Sequence, residues 1–259
     1  MCSESYLSVV KLGGSVLTSL RAYEAAASFL ARQSDSHTGL KMLAVVSAED
    51  GHTDELAREA EALASRPDAA ALDLLWSTGE LRSVALLTLA LKHAGVEAIG
   101  LNAHEAGLHS EAEGGVSLNP IAVRAAVSRH DVVVVPGFLA TRRQQLVTLG
   151  RGGSDLSAVL LAAALRADEC VLVKDVDGYF THDPATDDRA TPIPQLTFAQ
   201  AIAMADEGCP LVQRQALVAA RNAGIRLVVR STTGTGTTVF GGNHGVRDED
   251  HSRSTAVGA

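Results

Sequence analysis

"DVVVVPGF", Asp131–Phe138, sets four consecutive valines between an acid and a Pro-Gly pair. β-Branched residues favour strands, and Pro-Gly stops one. Successive side chains of a strand face opposite sides, so a run without alternation is apolar on both faces. Such a strand belongs inside a parallel sheet covered by helices on both sides. Other segments agree: "YLSVVKL" (6–12), "KMLAVVS" (41–47), "VEAIGL" (96–101), "ECVLVKD" (169–175) and "IRLVVRS" (225–231) are short apolar runs of the same kind. Between them lie helical patterns: "LRAYEAAASFLARQ" (20–33), "TDELAREAEALASR" (53–66), "ELRSVALLTLALKHAG" (80–95), "NPIAVRAAVSRH" (119–130), "FAQAIAMADEG" (198–208) and "PLVQRQALVAARNAG" (210–224). The alternation predicts an α/β fold with an open, mainly parallel sheet.

With 259 residues and 46% apolar content, the chain can bury a sizeable core, as one large domain or two lobes. Its formal net charge of −8, with no long basic run, argues against a nucleic-acid partner. Charged or polar residues interrupt every apolar stretch before membrane-spanning length, so no membrane partner is expected. "MCSESYLSVVK" (1–11) lacks the layout of a secretory signal. Cys2, Cys170 and Cys209 show neither metal-ligand spacing nor an even disulfide framework. These features point to a cytoplasmic protein with reduced thiols and no metal held by the chain itself. "SDSHTG" (34–39) reads as a surface loop, and residues 241–259 as a flexible polar tail.

Ligands of such folds collect beyond the C-terminal strand ends, which selects a few loops. "KLGGS" offers Lys11 as a point charge, with Gly13, Gly14 and Ser15 letting backbone N–H groups approach an anion. A solvated lysine before a tight turn fits that motif equally well. In "SAEDGHTDEL" (47–56), Ser47 and Thr53 are potential donors, although Thr53 or Asp54 also suits a helix cap. "WSTGEL" (76–81) places Glu80 at the expected start of an apolar helix, where it complements the dipole or receives a substrate ammonium.

"LGRGGSDLSAVLLAAAL" (149–165) carries the strongest signal. Ser154 or Asp155 can cap a helix beginning near Leu156, but a cap does not explain Arg151. A guanidinium before an electropositive helix end gains most if a carboxylate lies between them. Arg151 and Glu80 together would hold a zwitterion. In "VKDVDGYFTHDP" (173–184), Asp177-Gly178 marks a turn at a strand end.

In order, "KLGGS", "SAEDGHTDEL", "TGELRS", "PGFLA" with "TLGRGGSD", "KDVDGYFTHDPA" and "VVRSTTGTGT" resemble the catalytic domain of aspartokinases, within the amino acid kinase family. The resemblance runs from about Val9 to Val239, and "RGGSD" is its most specific part. It implies a three-layer α/β/α sandwich and transfer of the ATP γ-phosphoryl group, with Mg²⁺, to the side-chain carboxylate of aspartate. Lys11 would contact the phosphoryl group, and Asp155 would orient Lys11, the metal or the substrate amine. Ser47, Thr53, Glu80, Phe138, Arg151, Gly152 and Ser154 would form the acid site. Gly13, Gly14, Ser15, Lys174, Asp175, Gly178, Tyr179 and Asp183 would hold the nucleotide. An acid-binding lobe would extend to about residue 155, a nucleotide lobe would complete the domain to about 240, and a homodimer or higher homo-oligomer is implied.

Three positions depart from the family pattern. Pro210 in "GCPLV" stands where a phosphate-binding lysine is usual, Ala185 where an arginine is usual, and Lys174 where a threonine is usual. Lys174 or Arg214 is expected to take over the lost charge. The alternatives are a kinase for a related acid and a catalytically weak amino-acid sensor. The ACT domains usual in the family have no counterpart in this sequence, so control by lysine or threonine within the chain is not expected.

Overall fold

The computed structural model describes residues 6–34, 39–111, 116–149, 153–209 and 211–241. Arg151, Gly152, Pro210, Cys2, residues 35–38 of the expected surface loop and the tail beyond 241 lie outside the described residues. In chain order the strands are β1 (Leu7–Leu12), β2 (Lys41–Val46), β3 (Ala98–Gly100), β4 (Leu108–Ser110), β5 (Val116–Leu118), β6 (Val132–Pro136), β7 (Leu139–Arg142), β8 (Gln145–Thr148), β9 (Glu169–Val173), β10 (Gln195–Thr197), β11 (Leu227–Arg230) and β12 (Thr237–Phe240). The helices are α1 (Leu20–Ser34), α2 (His52–Leu63), α3 (Ala69–His93), α4 (Ala103–Ala106), α5 (Ile121–Val127), α6 (Gly153–Leu165), α7 (Phe198–Asp206) and α8 (Arg214–Ala223).

The central sheet runs β10-β12-β11-β9-β1-β2-β6-β3 and is parallel except between β11 and β12. The valine run explains why helices cover both faces. Val132 and Val134 enter one core with α1 and α3, while Val133 and Val135 enter the other with α6 and α8. Val10 and Val9 of β1 divide in the same way. All six are fully buried, and each contributes roughly 1.5–3 kcal/mol relative to exposure. Strands from before residue 155 lie to one side of the β1–β9 junction and strands from after it to the other. Chain order reverses at that junction, which is where an open α/β sheet leaves a crevice.

Several local expectations are corrected. Helix α3 begins eleven residues before Glu80, at Ala69, capped by the Asp68 carboxylate, which accepts from the Ala71 N–H at 2.9 Å. Glu80 therefore lies mid-helix, away from the N-terminal dipole. Gly79 does not start the helix, but lets it approach the β2 loop: a Cβ there would come within 3.2 Å of the Ala48 Cβ. The same helix is long and apolar enough to cross a membrane by length and composition, contrary to the expectation that every apolar stretch is too short. Glu80 and Arg82 interrupt the apolar run in sequence without ending the helix. In the fold Val84, Leu87 and Leu91 pack under the sheet. Neither Thr53 nor Asp54 caps α2: its N-cap is Gly51, at φ +74°, and both residues sit in the first turn. Finally, β5-β4-β7-β8 form a second small sheet that no apolar run announced. The Asp73 carboxylate of α3 ties it down, accepting from Thr148 Oγ1 at 2.7 Å.

Candidate active site

Lys11 is the penultimate residue of β1, Asp155 lies in the first turn of α6, and Lys174 directly follows β9. The folded chain brings them together. Lys11 Nζ lies 2.8 Å from Asp155 Oδ1, and Lys174 Nζ lies 2.9 Å from Oδ2. Asp155 is 3% exposed, so the pairs are shielded from water. Burial disfavours its ionised form, but Lys11 and Lys174 outweigh this and hold its carboxyl below the usual carboxylate range. Burial, and then the Lys11 charge, push the Lys174 ammonium the other way, towards losing its proton.

The expected cap of α6 by Ser154 or Asp155 does not occur. The helix already begins at Gly153, and both side chains are engaged elsewhere. Ser47 Oγ donates to Ser154 Oγ at 2.9 Å, joining the end of β2 to the start of α6. A Cβ on Gly137 would fall 3.0 Å from the Ser154 Cβ, so β6 and α6 meet closely there. Gly14 turns tightly against the same layer: a Cβ would sit 2.7 Å from the Ala48 carbonyl oxygen.

On the β2–β6 side lies Glu80, 3% exposed. Its Oε1 accepts from the Ala48 N–H at 2.9 Å, while Oε2 is buried without a hydrogen-bond partner among the described residues. Burial pushes its carboxyl up to about 7, against the opposing pull of the Ala48, Phe138 and Gly137 backbone and of Lys11. A buried carboxylate with a vacant oxygen is suited to receive a cationic group. Between the ordinary value of 4.5 and about 7, folded Glu80 keeps a proton that the unfolded chain has lost. Its stabilisation is therefore full below 4.5 and lost as pH rises through about 7. Glu80→Gln is expected to stabilise the ligand-free protein at pH 8 by about 3 kcal/mol, with little change at pH 4.5. Thermal melts at the two pH values check this; equal effects at both would show that Glu80 is not carrying an uncompensated charge.

Trp76 stands one helical turn before Glu80, and sequence reading missed its place here. Its ring meets Phe138 edge-on at 6.4 Å, and Nε1 donates to the Thr53 carbonyl at 3.2 Å. Being the only tryptophan, four residues from Glu80, was the available signal.

On the β9 side opens a cleft of about 750 Å³. Ser15, Lys174, Asp175, Gly178, Tyr179 and Asp183 of the expected nucleotide set all line it. Ser15 Oγ donates to Asp175 Oδ1 at 3.2 Å. Gly178 has φ +89°, and a Cβ there would lie 2.5 Å from Thr237 Oγ1, so the turn admits only glycine without rearrangement. Asp177 pins this loop by accepting from the Ser231 N–H at 2.9 Å and the Gly236 N–H at 3.2 Å. Tyr179 is buried, and its hydroxyl has no hydrogen-bond partner among the described residues. Arg214, expected here, is not among the lining residues; its Nε donates to Asp206 Oδ1 at 2.7 Å in an exposed ion pair. Met204, Glu207, Cys209 and Leu211 form a wall that the sequence marked only by its departure at Pro210.

The sequence profile of the amino acid kinase family matches residues 7–231. Aspartokinase 2 of Bacillus subtilis (strain 168) is 33% identical over 234 residues, which are 88% of this chain and 57% of that protein. The crystal structure of aspartate kinase from Synechocystis matches with a TM-score of 0.82 at 36% identity, covering 91% of this chain and 40% of that one. The E. coli aspartokinase III structure in complex with aspartate and ADP matches with a TM-score of 0.75 at 26% identity, covering 91% of this chain and 64% of that one. The chain spans about half the length of the curated relatives it matches.

Proposed function

This chain belongs to the amino acid kinase family, and we propose that it transfers the γ-phosphoryl group of ATP to the side-chain carboxylate of aspartate, giving 4-phosphoaspartate. One observation carries the reading: Asp155 gathers Lys11 and Lys174 between a buried carboxylate with a vacant oxygen and a cleft of nucleotide size. A carboxylate is already an anionic nucleophile at neutral pH, so the chain has no need of a strong base. Its work is positioning and neutralising charge. Glu80 receives the substrate ammonium, and Arg151 the α-carboxylate. Ser47, Thr53, Phe138, Gly152 and Ser154 shape the acid site. Lys11 meets the phosphoryl group, helped by the amides of Gly13, Gly14 and Ser15. Lys174, Asp175, Gly178, Tyr179 and Asp183 hold the nucleotide. The half up to about residue 155 thus binds the acid, and the half after it the nucleotide.

Mg²⁺ bound to the triphosphate would supply further neutralisation. Among the described residues no cluster of three His, Cys, Asp or Glu forms a metal cage. That suits an ion that arrives on phosphates and keeps its waters, with Asp175 and Asp183 as the cleft carboxylates available to it. The reading places a homo-oligomeric enzyme in the cytoplasm, acting on small molecules without nucleic acid or membrane.

Incubation with MgATP, hydroxylamine and a panel of dicarboxylic amino acids tests this. Aspartyl hydroxamate is the expected product; a product with another acid alone would keep the chemistry and change the acceptor. Arg151→Ala is expected to raise the aspartate KM roughly a hundredfold, about 3 kcal/mol for a lost buried charge pair, and Arg151→Lys to rescue it poorly. An unchanged KM in Arg151→Ala would make "RGGSD" a helix start only.

A second reading, an amino-acid sensor, is favoured by the charge of the cleft. Asp175, Asp183 and Glu207 line it, against Lys174 as the only lysine or arginine among its lining residues. Calorimetry decides between them: aspartate binding without MgATP binding at millimolar nucleotide would favour the sensor.

A further inference from the structure

Lys174 and Lys11 reach one carboxylate from different strands. Lys11 comes from β1, and Lys174 follows β9, the parallel neighbour of β1. An ammonium has three donors and no acceptor. Lys174 donates to Asp155 Oδ2, Lys11 lies against Oδ1 as an ion pair at 2.8 Å, and among the described residues no other side chain is hydrogen-bonded to either lysine. The cluster holds two positive charges and one negative, so it keeps a net positive charge and unused donors, shielded from water. A Cβ on Gly13 would lie 3.1 Å from Lys11 Nζ, so glycine there places no side chain against that buried ammonium. Lys174 also lines the cleft, beside Ser15 and Asp175, whereas Lys11 does not. Lys174 thus lines the cleft, while Lys11 lies outside its lining and its charge reaches the Glu80 carboxyl.

We propose that Lys174 is a second catalytic lysine, contacting the transferring phosphoryl group from the nucleotide side while Lys11 contacts it from the acceptor side. Asp155 sets the distance between them. The inference rests on the kinase reading above. In the step, an acceptor carboxylate oxygen forms a bond to the γ-phosphorus. The bond from that phosphorus to the β–γ bridging oxygen breaks, and its electron pair leaves on ADP. No proton needs to move. Negative charge shifts from the acceptor oxygen through the transferring group to the β–γ bridging oxygen, and a donor on each side of that group meets it throughout. Arg214, the other candidate for this role, is not among the lining residues of the cleft and pairs with Asp206 at the surface.

The test uses the full chain, with Lys174→Met, Lys174→Arg and wild type compared in hydroxamate formation and in calorimetry. Lys174→Met is expected to lower kcat at least thirtyfold while the aspartate KM changes less than threefold. It should weaken a non-hydrolysable ATP analogue at least tenfold and leave MgADP affinity within threefold, since only the γ-phosphoryl contact is lost. Lys174→Arg keeps the charge and should recover part of the analogue affinity. A merely structural lysine would change ADP and analogue binding alike. Wild-type turnover with unchanged kcat and analogue affinity in Lys174→Met overturns the inference and leaves the kinase reading standing. Absence of wild-type turnover with every acid overturns both.

Discussion

Asp155→Ala is expected to lower kcat by roughly 10³-fold or more and to destabilise the fold by about 3–5 kcal/mol. No other described carboxylate serves two buried ammonium groups. Without it Lys11 and Lys174 face each other in a shielded site, and each repels the other. Removing one partner of a buried pair costs more than the pair contributes, because the remaining charge stays desolvated. Here two charges remain. They lower their cost by turning away or by shedding a proton, and either response dismantles the arrangement on which the proposed phosphoryl transfer depends. Asp155→Asn separates shape from charge: it keeps one acceptor oxygen in place and should fall between wild type and alanine in both measures. Thermal melts and hydroxamate kinetics on the three proteins check this. If Asp155→Ala lost stability yet kept its kcat, the carboxylate would be a structural ion-pair partner and the active site would have to lie elsewhere.

The sheet was legible because burial on both faces erases alternation: Val132–Val135 and the runs in β1, β2 and β9 could hardly read otherwise. Where one face meets water or a strand has three or four residues, that signal vanishes. Hence β4, β5, β7 and β8 went unseen: His109, Ser117, Arg142 and Gln145 give them polar faces. The first half of α3 was missed because "STG" reads as a breaker, although Gly79 is there for close packing against Ala48. In the site, each loop was found from its position at a strand end, but the partnerships were not. Asp155 and Lys174 are 19 residues apart, and Asp155 and Lys11 far more. Only the β1–β9 register brings them to one point. The resemblance supplied roles for Lys11 and Asp155, yet offered no reason to expect Lys174, a departure from its pattern, on the same carboxylate. Glu80 shows the converse. Its importance was anticipated, but for a helix start it does not occupy, and its vacant oxygen depends on the β2 and β6 loops closing over it.

Lys11→Met should lower kcat by roughly 10²–10³-fold while both KM values stay within a few-fold, because the proposed contact to the phosphoryl group would strengthen as charge develops in the transition state. The stability consequence should be small, unlike that of Asp155→Ala. Asp155 keeps Lys174 as its partner at 2.9 Å, so no buried charge is orphaned. Loss of Lys11 also removes a positive charge that favours ionised Glu80. In Lys11→Met the pH at which aspartate binding turns on should therefore rise above that of wild type, since the ammonium needs the ionised carboxylate. Lys11→Arg should not restore turnover: a guanidinium is larger than an ammonium and spreads its charge over a planar fork in place of a compact point charge. Steady-state kinetics and a pH series of aspartate binding give both readouts. An unchanged kcat would reduce Lys11 to half of a buried ion pair, and Lys174 would then be the only lysine left to meet the phosphoryl group.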